Sequence, residues 1–203
     1  MGRVRLDARR ITKRYGRSTV LNGVGLTVRA GEVAAIVGAN GCGKSTLLRI
    51  CAGLISPDSG TVRVDGTLGY CPQDGGTAEW LTPDEHFVLV GAGRGVRRTE
   101  SKERGWTAAA ALDWPGASRA GVARNLSGGT RQKLNLVLSG MGDADVLLLD
   151  EPYQGFDKGS YLDFWQQVWR WRGEGRAVVV VTHLLSELNR VDTVVDLTPA
   201  VAR

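Results

Sequence analysis

The sequence predicts an α/β fold, a layered sheet core interrupted by a small helical insert. Three observations predict it. Glu32–Val37, Val146–Leu149 and Ala177–Val181 are apolar runs with little alternation, as strands buried on both faces require. A glycine-rich turn follows the first run and leads into a helical stretch. Between Asp74 and Arg124 no strand pattern is visible, and Thr82-Pro83-Asp84-Glu85 has the form of a capping box with proline at the first helical position.

The elements follow in order. Val4–Ala8 and Gly25–Ala30 alternate, as strands with one exposed face do. Lys44–Ala52 reads as a helix with Leu47, Leu48 and Cys51 on one side. Thr61–Val64 and Leu68–Cys71 read as short strands around the turn Asp65-Gly66. A helix is expected from about Ser160 to Trp171 and a last strand at Thr193–Leu197. Core packing is the expected role of Phe164, Trp165, Trp169 and Trp171.

Composition narrows the class. Apolar residues make up 42% and charged residues 23%, ordinary for a globular protein of 203 residues. No apolar run approaches the roughly 18 residues of a membrane helix, and Met1–Arg5 does not resemble a signal peptide. Cys42, Cys51 and Cys71 are odd in number and lack metal spacing, so free thiols in a reducing compartment are expected. The net charge of +5 is not gathered in a block, so it reads as a solvated surface.

Gly38-Ala39-Asn40-Gly41-Cys42-Gly43-Lys44-Ser45 matches G-x-x-x-x-G-K-[ST] between a buried strand and a helix. Glycines let backbone N–H groups converge on phosphates, and Lys44 and the helix N-terminus add positive charge. Ser45 is placed to ligate Mg²⁺, and Thr46 can reach another phosphate. Kinases, GTPases and ATPases share this pattern. Val146–Leu149 then carries Asp150 and Glu151 at its C-terminal end, where open α/β sheets bind ligands. Asp150 would hold Mg²⁺ and Glu151 would polarise the attacking water.

Between these motifs, Leu126-Ser127-Gly128-Gly129 resembles the signature of the ABC ATPases, and the resemblance runs from Leu6 to Leu197. It implies a P-loop NTPase core with an ABC-type antiparallel β subdomain and a small inserted helical subdomain. The expected layout is one domain over 1–203: a nucleotide-binding core of 1–73 plus 142–203, and a helical subdomain, 74–141, carrying the signature. The implied ligands are ATP and Mg²⁺. Gly38, Asn40, Gly41, Cys42, Gly43, Lys44, Ser45 and Thr46 would surround the phosphates, and Tyr15 would stack on adenine. Gln73 resembles the glutamine that contacts Mg²⁺ and the lytic water, and His183 the switch histidine at the γ-phosphate. Ser127, Gly128 and Gly129, with Asp157, would act across a dimer, because the family packs two such domains head to tail around ATP.

The resemblance further implies a second ATP-binding subunit, identical or related, and integral membrane transporter subunits as separate chains. The chain would then be cytoplasmic, held at the inner face of the cell membrane by its membrane partner, and would power transport, export over import. No nucleic acid partner is expected. The rival, an ABC ATPase acting on nucleic acid or ribosomes, has only the +5 charge in its favour. Thr130 stands where the family most often has glutamine, which puts the contact in trans at that position in question. Cys42, inside the loop, is either a small space-filler or a point of thiol sensitivity.

Overall fold

The computed structural model describes residues 2–183 and 188–197. The expected positions 184–187 and 198–203 of the core lie outside them. Two sheets form. The first is antiparallel, order β2-β1-β4, from β1 (Val4–Tyr15), β2 (Ser18–Arg29) and β4 (Ser59–Val64). The second is parallel, order β5-β6-β7-β3-β8, from β3 (Val33–Val37), β5 (Leu68–Cys71), β6 (Val146–Asp150), β7 (Ala177–Val181) and β8 (Thr193–Asp196). The helices are α1 (Lys44–Cys51), α2 (Pro83–Ala92), α3 (Arg98–Ala110), α4 (Gly128–Gly140) and α5 (Lys158–Gly173).

Three details depart from the sequence pattern, one being that β2 begins at Ser18 rather than Gly25. β1 runs to Tyr15 rather than ending near Ala8. A bulge explains this. Ala8 pairs with Leu26 and Ile11 with Val24, so β1 spends one extra residue there, and Arg10 has φ 51°. The inserted residue breaks the alternation in sequence while Ile11 still returns to the core. Asp65-Gly66 does not close a hairpin. β4 pairs with β1 in one sheet and β5 with β6 in the other, so the turn passes the chain between sheets.

The parallel strands are buried on both faces, as their composition requires. In β6, Leu147 and Leu149 face one core, and Val146 and Leu148 face another. β7 divides likewise: Val178 and Val180 face the first, Ala177, Val179 and Val181 the second. The first core takes in α4, α5 and the inserted helices. The second takes in α1 and the antiparallel sheet.

The insert is held by few, specific contacts. Thr82 and Glu85 form the expected capping box: Thr82 N–H donates to Glu85 Oε2 at 2.7 Å and Glu85 N–H to Thr82 Oγ1 at 3.3 Å. Phe87 is fully buried and meets Trp106 edge-on, 5.3 Å between ring centroids. Trp106 Nε1 donates to Asp84 Oδ1 at 2.7 Å. A hydrogen bond from Lys102, then this one from Trp106, hold the Asp84 carboxyl below its ordinary range despite partial burial. His86 is buried with both ring nitrogens engaged, Nε2 accepting from Ala78 N–H at 2.9 Å and Nδ1 donating to Thr82 O at 2.8 Å. It is a structural histidine. In α5, Phe164, Trp165 and Trp171 are buried as expected, and Trp169 stacks on Trp165. All three cysteines are free, and burial pushes the Cys51 thiol up to about 12. Among the described residues no helix is long and apolar enough to cross a membrane.

Candidate functional site

β3 lies between β7 and β8, so its C-terminal end delivers the loop after Val37 to the C-terminal edge of the parallel sheet. β6 runs parallel to it and delivers Asp150 and Glu151 to the same edge. Gly43 is the N-cap residue of α1, with φ 103° and no side-chain cap. A Cβ there would stand 2.7 Å from Val20 Cγ1 and 2.9 Å from Leu21 Cδ2, so the turn presses on β2 and admits only glycine. The first turn of α1 contains no acidic residue and the last contains Arg49, which leaves the positive end of the helix facing the loop. Lys44 is buried and folds back over the loop, Nζ donating to Gly38 O at 2.9 Å and Ala39 O at 3.1 Å.

These parts enclose a cavity of about 560 Å³. Of the predicted residues, Tyr15, Asn40, Gly41, Gly43, Lys44, Ser45, Thr46, Gln73 and Glu151 line it. Gly38 and Cys42 belong to the loop without lining the cavity, and Cys42 is half-buried. Tyr15 is half exposed at the mouth, with Lys13 Nζ 5.6 Å from its ring centre.

Asp150 is fully buried, and its Oδ1 accepts from Ser45 Oγ at 3.0 Å. Its Oδ2 is buried with no hydrogen-bond partner. Burial pushes its pKa up and the charge of Glu151 adds to this, while the Ser45 hydroxyl, Arg49 and Lys44 oppose it. A hard cation would satisfy such an atom: serine hydroxyl and carboxylate are oxygen donors of the kind Mg²⁺ takes. Glu151 follows with φ 44°, a left-handed backbone that costs a non-glycine residue about 1–3 kcal/mol. Its Oε2 stands 3.5 Å from Gln73 Nε2 and 3.8 Å from His183 Nδ1. Three predicted residues from three segments thus meet at one carboxylate oxygen.

The structure does not bring Ser127, Gly128, Gly129 or Asp157 to this cavity. Ser127 caps α4, its Oγ accepting from Thr130 N–H at 3.2 Å. Thr130 is buried, with its hydroxyl 2.8 Å from that of Ser127, so it closes the same cap. A Cβ on Gly129 would meet Gly155 O at 2.7 Å, whereas Gly128 faces open space. Asp157 caps α5, accepting from Ser160 N–H at 2.8 Å, and that bond holds its carboxyl below its usual range.

Three contributors were not anticipated. Val20 of β2 lines the cavity. Gln154 lines the cavity from the loop after β6. Tyr153 is buried, and its hydroxyl shares a hydrogen bond with Thr182 Oγ1, which ties the Glu151 loop to the strand end that carries His183.

Comparison with known proteins places this geometry. The family profile described as ABC transporter matches residues 21–154. Hemin import ATP-binding protein HmuV of Bradyrhizobium diazoefficiens is 36% identical, with 89% of this chain and 74% of that protein covered. The chain belongs to the ABC transporter family, as an ATP-binding cassette. The probable multidrug ABC transporter ATP-binding protein YbhF of Escherichia coli (strain K12) is 39% identical over 79% of this chain, which spans 30% of its length. Nod factor export ATP-binding protein I of Burkholderia lata is 30% identical over 92% of this chain, which spans 65% of its length. A dimeric bacterial ABC transporter cassette superposes with TM-score 0.86 at 22% identity, covering 95% of this chain and 94% of that one. That likeness shows the fold: a P-loop NTPase core with the ABC-type antiparallel sheet.

Proposed function

We propose that this chain binds ATP in the loop cavity and hydrolyses it as half of a dimer, to drive transport through separate membrane subunits. The observation that carries the reading is the meeting of Gln73, Glu151 and His183 at Glu151 Oε2, beside the Ser45–Asp150 pair.

In this reading Tyr15 stacks on adenine, and the loop amides, Lys44 and Thr46 hold the phosphates. Ser45 and Asp150 would hold Mg²⁺, with Gln73 beside them, and the ion would supply charge neutralisation at the phosphates. Glu151 polarises the attacking water. Gln73 and His183 orient it and the γ-phosphate. Ser127, Gly128 and Gly129 close the cavity of a second copy or of a related chain, and Asp157 lies near that interface. Residues 74–141 form the helical subdomain, and residues 1–73 plus 142–203 the nucleotide-binding core. The membrane partner holds the chain at the inner face of the cell membrane, and no nucleic acid takes part. Export is favoured over import on the likeness to the Nod factor export proteins, with the hemin import relative HmuV standing on the other side.

The test is Glu151→Gln. The wild-type chain should hydrolyse ATP, and the variant should bind ATP, lose about 10²–10⁴-fold in turnover and elute as a dimer with ATP on gel filtration. A variant that turns over normally, or stays monomeric with ATP, overturns the role of Glu151. A polytopic membrane protein co-purifying from membranes would support transport, and ribosomes or nucleic acid in its place would overturn it.

A further inference from the structure

Two buried amides on α4 have no part in the roles above. Gln132 and Asn135 are 5% and 4% exposed. Asn135 Nδ2 donates to Gly75 O at 2.8 Å and to Gln132 Oε1 at 3.1 Å. Gln132 Nε2 donates to Pro72 O at 3.2 Å and stands 3.7 Å from Cys71 Sγ. The two carbonyls that they hold, on Pro72 and Gly75, flank Gln73. The turn is closed down on them: a Cβ on Gly76, whose φ is 83°, would meet Asn135 Oδ1 at 2.6 Å and Pro72 Cγ at 2.7 Å.

Apolar side chains could fill this space without burying four polar atoms. Amides instead fix the register of the backbone that they grip, because each misplacement strands a buried donor. What that register fixes is the reach of Gln73 from the turn to Glu151 Oε2. The same helix begins at Ser127.

We propose that Gln132 and Asn135 are positioning residues for Gln73, tying its turn to the helix that opens with the signature. The inference rests on the ATPase reading above. A shift of α4 then carries Gln73 with it, so one end of the helix faces the partner's nucleotide while its middle sets the glutamine in its own site.

The test uses Asn135→Leu and Gln132→Met, each alone and combined with Gln73→Ala. Each should lower kcat about tenfold, equivalent to ~1.4 kcal/mol, with KM for ATP within about twofold of wild type. On the Gln73→Ala background the further loss should be less than about twofold, because the residue through which they act is gone. Backbone amides 73–76 should exchange with solvent faster in both single variants. Equal losses on the two backgrounds, or unchanged exchange at 73–76, overturn the proposal. If the wild-type chain hydrolyses no ATP, the proposed function falls instead, and the exchange comparison alone decides the tether: faster exchange supports it and unchanged exchange overturns it.

Discussion

The N-termini of α1 and α4 both carry glycines, just before the helix at α1 and in its first turn at α4, yet they are finished differently. At α1 the N-cap is Gly43, which has no side chain to satisfy the first N–H groups. At α4 the N-cap is Ser127, which bonds Thr130 N–H, and the Thr130 hydroxyl joins the cap. One helix end has no side-chain cap, whereas the other satisfies part of its own requirement. The first lines a cavity with a lysine and two carboxylates near by. The second lies away from that cavity.

The largest break in this comparison should come from Gly43→Ala. Left-handed strain of about 1–3 kcal/mol, together with the contacts against Val20 and Leu21, should weaken ATP binding about a hundredfold in a fluorescent-nucleotide titration. Near-normal affinity would show that the turn is not pinned on β2. Ser127→Ala should be milder. Loss of the cap should cost about 1 kcal/mol, roughly 2–4 °C in Tm, with ATP binding by the isolated chain unchanged. If Ser127→Ala weakens that binding as Gly43→Ala does, the two helix ends are not distinct. The smallest effect should be Asp150→Asn on stability. Burial raises the folded pKa of Asp150, so stability from its neutral form is complete below the unfolded value of 3.8 and is lost as pH rises through the folded value. The variant should therefore melt higher than wild type at neutral pH, with the two Tm curves converging on the acid side, while its ATP turnover is lost. Parallel curves across pH would remove burial as the cause.

The buried strands, the loop after β3 and the carboxylates at the end of β6 were legible because each is local. A strand covered on both faces must be apolar throughout, and a loop that cradles phosphate needs glycine and lysine at fixed spacing. What was illegible depends on distant partners. The bulge at Arg10 hides the length of β1 behind a broken alternation. That β4 and β5 enter different sheets is decided by β1 and β6, not by Asp65-Gly66. The positive φ of Glu151 has no signal in its neighbours, since glutamate is not a residue that favours it. Helix α3 has no apolar stripe and is held on α2 by Phe87 against Gly105 and Trp106 and by Asp84, which accepts from Trp106.

Leu147 and Leu148 are chain neighbours, yet they touch opposite halves of the molecule. A cavity made at Leu147 loosens the side that holds α4, α5 and the inserted helices, and one made at Leu148 loosens α1 and the antiparallel sheet. Both halves lean on one set of strands, so neither can melt while the other keeps its footing. Heating should thus remove them together in a single cooperative transition, and a damaged half should drag down the midpoint of the whole.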